Sequence, residues 1–76
     1  MYDRIISDPA ILGGKPIIRG TRLSVELILE WIASGATRDE ILLRYPQLTA
    51  TDLEQALGYA AQSLHHEVWL TAQVPG

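Results

Sequence analysis

The chain contains no cysteine, so disulfide bridges and thiolate metal sites are excluded. It also lacks any apolar run as long as a transmembrane span, which needs about 20 residues. Its first residues, Met1-Tyr2-Asp3-Arg4, do not show the basic-then-apolar order of a signal peptide. We therefore expect a cytoplasmic protein that does not contact a membrane.

The chain is short as well, and its size limits its core. Its 76 residues make one small domain, which buries only roughly 60–65% of the surface of its unfolded chain. Without disulfides or a metal, such a domain is stabilised by helix packing or by a partner, and an oligomer is a natural remedy. Hydrophobic residues make up 47% of the sequence, which excludes a disordered chain.

Charge is unevenly distributed along the chain, although the net charge is only −3. Residues 1–22 carry four basic and two acidic side chains, whereas residues 23–76 carry two basic and seven acidic side chains. Any contact with nucleic acid is therefore expected at the front of the chain.

The sequence patterns predict a mainly α-helical fold, a three-helix bundle preceded by a short N-terminal β-hairpin or arm. Two β-prone runs, residues 4–7 and 16–19, lie on either side of a glycine-bearing loop, which is typical of a hairpin. Apolar residues stepping by three and four predict the helices. We predict a single domain over residues 1–70, followed by a tail over residues 71–76. Within the domain we expect a β-arm over residues 1–22 and helices over residues 24–34, 37–45 and 50–70.

Capping signals define the helix boundaries. Thr37 and Thr49 each stand three positions before an acidic residue, Glu40 and Asp52, and both pairs predict a capping box. Gly35 predicts the C-terminal stop of the first helix. That helix is apolar around nearly its whole circumference, so we expect it to be central and buried on more than one side.

A phosphate-binding loop is excluded by the residues immediately after Lys15. The Walker pattern needs Ser or Thr after the lysine, at the start of a helix. Here the next residue is Pro16, which has no N–H to donate to a phosphate, and the chain continues in an extended form.

Metal and catalytic sites also lack support. His65 and His66 are adjacent, so on a helix they point about 100° apart and cannot bind one ion from the same face. The acidic side chains are caps or helix-surface charges, and no nucleophile with its base can be assembled. We expect a protein that is not an enzyme and holds no cofactor and no metal.

DNA binding is one candidate function, because the second and third helices have helix-turn-helix length and order. The start of the third helix carries Asp52 and Glu54 and no Lys or Arg, which disfavours base recognition. The glycine-flanked stretch of residues 13–22 is the better candidate, since its basic side chains suit an arm along a phosphate backbone. The candidate DNA-binding residues are Lys15, Arg19, Thr21, Arg22, Thr51 and Gln55.

Protein binding is a second candidate function. Val68, Trp69, Leu70 and Val74 form an apolar end outside the minimal bundle. Three roles remain open for this apolar end: it is part of the core, a dimer interface, or a tail that binds a partner. An exposed apolar end is typical of an interaction surface. These four are the candidate partner-binding residues.

Several strings of the sequence together resemble the small bacterial family catalogued as domain of unknown function 433. They are Ser7-Asp8-Pro9, the stretch Gly13-Gly14-Lys15-Pro16-Ile17-Ile18-Arg19-Gly20-Thr21-Arg22, Gly35, Tyr45-Pro46 with Leu48-Thr49, and Asp52. The resemblance implies a homeodomain-like three-helix core behind short strands and a dimeric, non-enzymatic protein. Many members are encoded beside a PIN-like nuclease, and some are described as antitoxins.

The sequence supports two hypotheses. In the first, the chain is an antitoxin-like protein that neutralises a PIN-like nuclease toxin and binds operator DNA as a homodimer. In the second, it is a dimerisation or scaffold module with no nucleic-acid role. The second predicts that the basic stretch is paired within the fold, with Arg19 and Arg22 bound to helix carboxylates such as Glu26.

Overall fold

The computed structural model of the protein describes residues 2–64, which form two short strands and three helices. In chain order these are β1 (Ile5–Ile6), β2 (Ile17–Ile18), α1 (Val25–Ala33), α2 (Arg38–Arg44) and α3 (Ala50–Ser63), with a 3-10 turn over Leu12–Gly14. The prediction of a mainly helical bundle behind an N-terminal hairpin is confirmed. No helix in this part of the chain is long and apolar enough to cross a membrane.

The hairpin is part of the domain core. Its strands are antiparallel, with Ile5 opposite Ile18 and Ile6 opposite Ile17. Both β2 side chains are fully buried, and β1 contacts α3. A two-stranded hairpin is marginal on its own in water, so this packing against the helices is what stabilises it.

The loop between the strands contains three consecutive residues in the left-handed region. Leu12, Gly13 and Gly14 have φ values of 51°, 66° and 86°. Glycine adopts this region freely, whereas a residue with a Cβ pays about 1–2 kcal/mol there. Leu12 is also 47% exposed, so its strained backbone does not serve to bury its side chain.

Helix capping agrees closely with the sequence signals. Ser24 accepts a hydrogen bond from the Leu27 N–H at the start of α1, and the capping boxes at the starts of α2 and α3 are both complete. Gly35 comes after α1 with φ 98°, the left-handed stop that a side chain would disfavour.

The core gathers apolar side chains from the hairpin and all three helices. Its buried members are Ile17, Ile18, Val25, Ile28, Ile41, Leu48, Leu53, Ala56 and Ala60. As predicted for a central helix, α1 packs against both α2 and α3. Val25 and Ile28 are buried, Leu29, Trp31 and Ile32 pack half-buried against the core, and Leu27 is half-buried.

Part of the sequence prediction lies outside the described residues. It comprises His65 and His66, the continuation of the third helix over 65–70, the tail over 71–76, and the partner-binding candidates Val68, Trp69, Leu70 and Val74.

Candidate functional site

A partly buried ion pair connects the hairpin to the start of α3. Arg4 Nε donates to Asp52 Oδ1 at 2.7 Å, and the Asp52 side chain is fully buried. The second carboxylate oxygen accepts the Thr49 N–H at 3.0 Å. Burial opposes ionisation of Asp52, but the hydrogen bonds from Arg4 and Thr49 outweigh it, so the pKa of this carboxyl lies below its ordinary value.

Gln55 fastens the same hairpin three residues further along α3. Its Oε1 accepts the Arg4 backbone N–H at 2.7 Å, and its Nε2 donates to Asp3 Oδ1 at 2.8 Å. The hydrogen bond from Gln55 is the main reason that the pKa of Asp3 is lowered. Both ends of this amide, which the sequence suggested for DNA, are therefore occupied within the fold.

Arg19 and Thr21 also hydrogen-bond within the hairpin region. Arg19 Nε donates to the Asp3 carbonyl at 2.8 Å, and the Arg19 carbonyl accepts from the Arg4 guanidinium at 3.2 Å. Thr21 Oγ1 donates to the Ile18 carbonyl at 2.9 Å and accepts a backbone N–H two residues later. These contacts shape the turn between β2 and α1.

Lys15 forms an ion pair with Glu26 across the start of α1, with 2.8 Å between Lys15 Nζ and Glu26 Oε1. Both side chains are more than half exposed, and the hydrogen bond to Glu26 raises the pKa of Lys15. The sequence-based alternative gave Glu26 to Arg19 and Arg22, and the structure corrects that assignment. Lys15 takes this place because the next residue, Pro16, accepts the N–H of the first residue of α1.

The last two DNA-binding candidates, Arg22 and Thr51, are exposed. Within residues 2–64 neither side chain makes a hydrogen bond or an ion pair. Four of the six candidates are thus engaged with the chain itself, and they are spread over the hairpin, the loop before α1 and the first turns of α3.

An apolar groove of about 300 Å³ lies between α1 and α3. Val25 and Leu29 line it on the α1 side, Tyr59 and Ala60 line it on the α3 side, and Leu64, the residue after α3, lines it as well. The Lys15–Glu26 ion pair borders the groove and gives it a charged rim. Leu64 is 45% exposed and is the last described residue, so the predicted partner-binding residues come after this groove in sequence.

The groove between α1 and α3 and the role of Arg4 in holding the hairpin were not predicted from the sequence. Asp52 was correctly predicted as a cap, but a capping signal does not indicate which residue binds the other carboxylate oxygen. Leu53 and Ala56, the neighbouring core positions, were a hint that the surroundings of Asp52 are buried and require a cation.

The groove between α1 and α3 and its charged rim offer a surface to which another molecule can bind. Within the described part of the chain, no three His, Asp, Glu or Cys side chains come together as a metal site. The carboxyl groups whose pKa is lowered, Asp3, Glu40 and Asp52, each accept hydrogen bonds that secure a turn, a cap or the hairpin.

Comparison with known proteins gives a consistent result. The model of the family described as Protein of unknown function (DUF433) matches residues 5–60. The uncharacterized protein y4eO of Sinorhizobium fredii (strain NBRC 101917 / NGR234) is 38% identical over 56 residues, which cover 74% of this chain but only 25% of that relative. The crystal structure of a DUF433 member protein from Anabaena variabilis superposes with a TM-score of 0.79 at 35% identity, over 93% of this chain and 70% of that one.

Proposed function

The chain belongs to the family of proteins of unknown function DUF433, and from this premise we propose that it is an antitoxin-like binding protein. It neutralises a PIN-like nuclease toxin in the cytoplasm by direct contact and catalyses no reaction. This proposal takes up the first of the two sequence hypotheses, without the DNA contact.

The observation that carries the proposal is the apolar groove between α1 and α3. Val25 and Ala60, which line the groove, are almost fully buried, so packing holds their side chains in place. An apolar side chain that enters the groove therefore contacts well-packed residues on both helices. Leu64 lines the groove, and the apolar residues Val68-Trp69-Leu70 follow it in sequence. A partner that contacts both would be held over a longer surface than the groove alone provides.

Charge supports a nuclease as the partner. Beyond the hairpin, the helical part of the chain carries a strong excess of acidic side chains, and Glu26, Glu30 and Glu54 are exposed. A protein that cuts nucleic acid presents a basic surface to its substrate, and an acidic body attracts such a surface.

Operator binding is a weaker candidate, because Lys15, Arg19 and Gln55 are engaged in contacts within the fold. A gel shift on the upstream DNA at two salt concentrations separates the two sequence hypotheses. Phosphate contacts weaken steeply with salt, so a salt-sensitive shift would support operator binding and its absence would support a role without nucleic acid.

The proposal is tested by co-purification with the product of the neighbouring gene. Leu29→Asp and Leu64→Asp each place a charge in the groove, and we expect either change to weaken the complex at least about tenfold. Leu43→Asp is the matched control, because Leu43 is 85% exposed on α2 and does not line the groove.

A second probe addresses the tail. Trp69→Ala is expected to weaken the complex if the apolar stretch contributes to it, and unchanged affinity would remove the tail from the interface. Full nuclease binding by both groove variants, with their circular dichroism unchanged, would refute the groove as the binding surface.

A further inference from the structure

The groove between α1 and α3 leaves apolar surface that residues 2–64 cover only in part. Leu29 and Tyr59 are half-buried and Leu64 is 45% exposed, and all three line the groove. Covering apolar surface is favourable in water, and a domain of this size has little other burial to rely on. A segment that fills the groove would therefore enlarge the core.

The size and the polar rim of the groove suit one bulky side chain that carries a hydrogen-bond donor. Its volume of about 300 Å³ is at the lower end for pockets that enclose a small molecule. Ser63 and Glu26 add a hydroxyl and a carboxylate to a mainly apolar lining. A buried tryptophan needs an acceptor for its N–H. Ser63 Oγ and the Glu26 oxygen that is not bound to Lys15 are both acceptors.

A tryptophan lies within reach along the chain. Ser63 ends α3 and Leu64 follows as its C-cap residue, and both line the groove. Val68-Trp69-Leu70, which lie outside the described residues, come four to six positions after Leu64. An extended chain covers roughly 3.3–3.6 Å per residue, which gives about 13–20 Å from Leu64 to these residues. Packed helices lie about 8–10 Å apart, so this length is enough to reach across the groove.

Attachment to the groove favours this part of the chain over a separate molecule. A segment joined to its site by a short linker has an effective concentration of about 1 mM. With a Kd of only about 0.1 mM it would still occupy the groove roughly nine-tenths of the time. The same segment of a second chain, present at about 10 μM, would occupy the groove only about one-tenth of the time.

We propose that Val68-Trp69-Leu70, which we call the 68–70 segment, folds back into the groove of its own chain and places the Trp69 indole between α1 and α3. The groove is then filled in the free chain. The consequence for binding rests on the proposed function, because a nuclease has to displace the 68–70 segment. Displacement raises the apparent Kd of the nuclease about tenfold when the segment is docked roughly nine-tenths of the time. The displaced segment is then available to contact the nuclease itself.

Tryptophan fluorescence of the full chain tests the docking. The chain has two tryptophans, so Trp31→Phe leaves Trp69 as the only one. Phenylalanine keeps an aromatic ring beside Tyr45, and we expect the fold to be retained. In native buffer, Trp69 should emit at shorter wavelength than in urea and should be quenched severalfold less by acrylamide. Emission and quenching equal to those in urea would overturn the proposal.

Variants of the groove test where Trp69 docks. In the Trp31→Phe chain, Leu29→Asp and Leu64→Asp each place a carboxylate in the groove. Both should shift the emission to longer wavelength and raise the quenching severalfold, because the indole loses its apolar site. Leu43→Asp introduces the same charge on α2 away from the groove, and it should change neither quantity.

Folding of each variant is checked by far-ultraviolet circular dichroism and thermal melting. Leu64→Asp is the milder of the two groove variants, since its side chain is already partly exposed. A Trp69 that stays protected in a folded groove variant would lie elsewhere, and this result would overturn the proposal. An effect of Leu43→Asp as large as that of the groove variants would overturn it as well.

Dilution distinguishes the 68–70 segment of the same chain from that of a second copy. Docking within one chain does not depend on concentration, so the protection of Trp69 should stay constant from about 1 to 100 μM. Protection that is lost on dilution would mean that a second chain fills the groove, which contradicts the proposal.

These measurements use the chain without a nuclease, so they separate the docking from the proposed function. Protection of Trp69 without any nuclease complex would support the docking and refute the proposed function. Nuclease binding by a chain whose Trp69 is exposed would do the reverse.

Discussion

Asp52 connects two parts of the chain that are distant in sequence. One of its oxygens caps α3 through the Thr49 N–H, and the other accepts from Arg4 in the hairpin. A buried carboxylate with both oxygens satisfied is stable, whereas removing its charge leaves the Arg4 guanidinium facing a neutral group.

We therefore expect Asp52→Asn to lower the free energy of unfolding at pH 7 by about 1–3 kcal/mol. The pKa of Asp52 is lowered in the folded state. A lowered pKa contributes stability that is present above the unfolded value of about 4 and is lost as the pH falls through the folded value. The difference between the unaltered chain and Asp52→Asn should therefore shrink below pH ~4.

Urea unfolding at pH 7 and pH 3 measures this difference. Asp39→Asn, at an exposed position in the first turn of α2, is the control and should change stability by less than about 0.5 kcal/mol. An Asp52→Asn variant as stable as the unaltered chain at pH 7 would contradict the stabilising role of the ion pair.

At the level of elements, the hairpin contributes more to the core than its four strand residues suggest. Ile17 and Ile18 are fully buried, and they are as deeply enclosed as Ile28 and Ile41 of the helices. Arg19 and Arg22 therefore follow directly on a fully buried part of the molecule.

Truncation of a β2 side chain should thus be as costly as truncation in a helix core. We expect Ile18→Ala to lower the free energy of unfolding by about 2–5 kcal/mol, because it leaves a cavity in packed surroundings. Leu43→Ala, which removes a similar number of atoms from an exposed helix position, should cost less than about 0.5 kcal/mol. Thermal melts of both variants provide the measurement, and equal costs would mean that the hairpin is not part of the cooperative core.

Sequence patterns predicted the elements because their signals are local. Thr37 and Thr49 each form a capping box with a residue three positions on, so the starts of α2 and α3 could be predicted from a few letters. The role of Gly58 could not be predicted in that way. A Cβ at this position in α3 would come within 2.9 Å of the Tyr2 ring, which is 56 positions away in sequence.

The candidate site was harder to predict for the same reason. The sequence shows that Lys15, Arg19 and Arg22 are basic, but not that Lys15 binds Glu26 and Arg19 binds the Asp3 carbonyl while Arg22 stays exposed. Those partners depend on how the hairpin lies against α1 and α3, and that packing is set by contacts between distant residues. The sequence indicated that residues 13–22 are important, but it did not show which groups their side chains contact.

For the whole molecule, the small core leaves a small margin of stability. Any partner that binds only the folded form adds to that margin. A partner bound in the proposed groove between α1 and α3 would therefore raise the melting temperature.

We expect the Tm of the unaltered chain to rise by roughly 4–8 °C when the partner is present at about five times its Kd, which corresponds to about 1 kcal/mol of added stability. The Tm of Leu29→Asp should rise less under the same conditions, whereas that of Leu43→Asp should rise as in the unaltered chain. Scanning calorimetry with and without the partner gives the comparison. A Tm of the unaltered chain that does not change with the partner would mean that the partner does not bind the folded form.

The bond between Arg4 and Asp52 spans 48 positions, and it has a consequence for how the protein is made. The hairpin leaves the ribosome long before α3 exists, so during translation its guanidinium has no carboxylate and its isoleucines have only part of their cover. Contacts of such long range form late, and unfinished chains that expose apolar surface are taken up by chaperones and proteases. The proposed binding groove, which includes α3, would therefore be displayed only after that helix has been synthesised, and incomplete chains would not compete for the proposed partner.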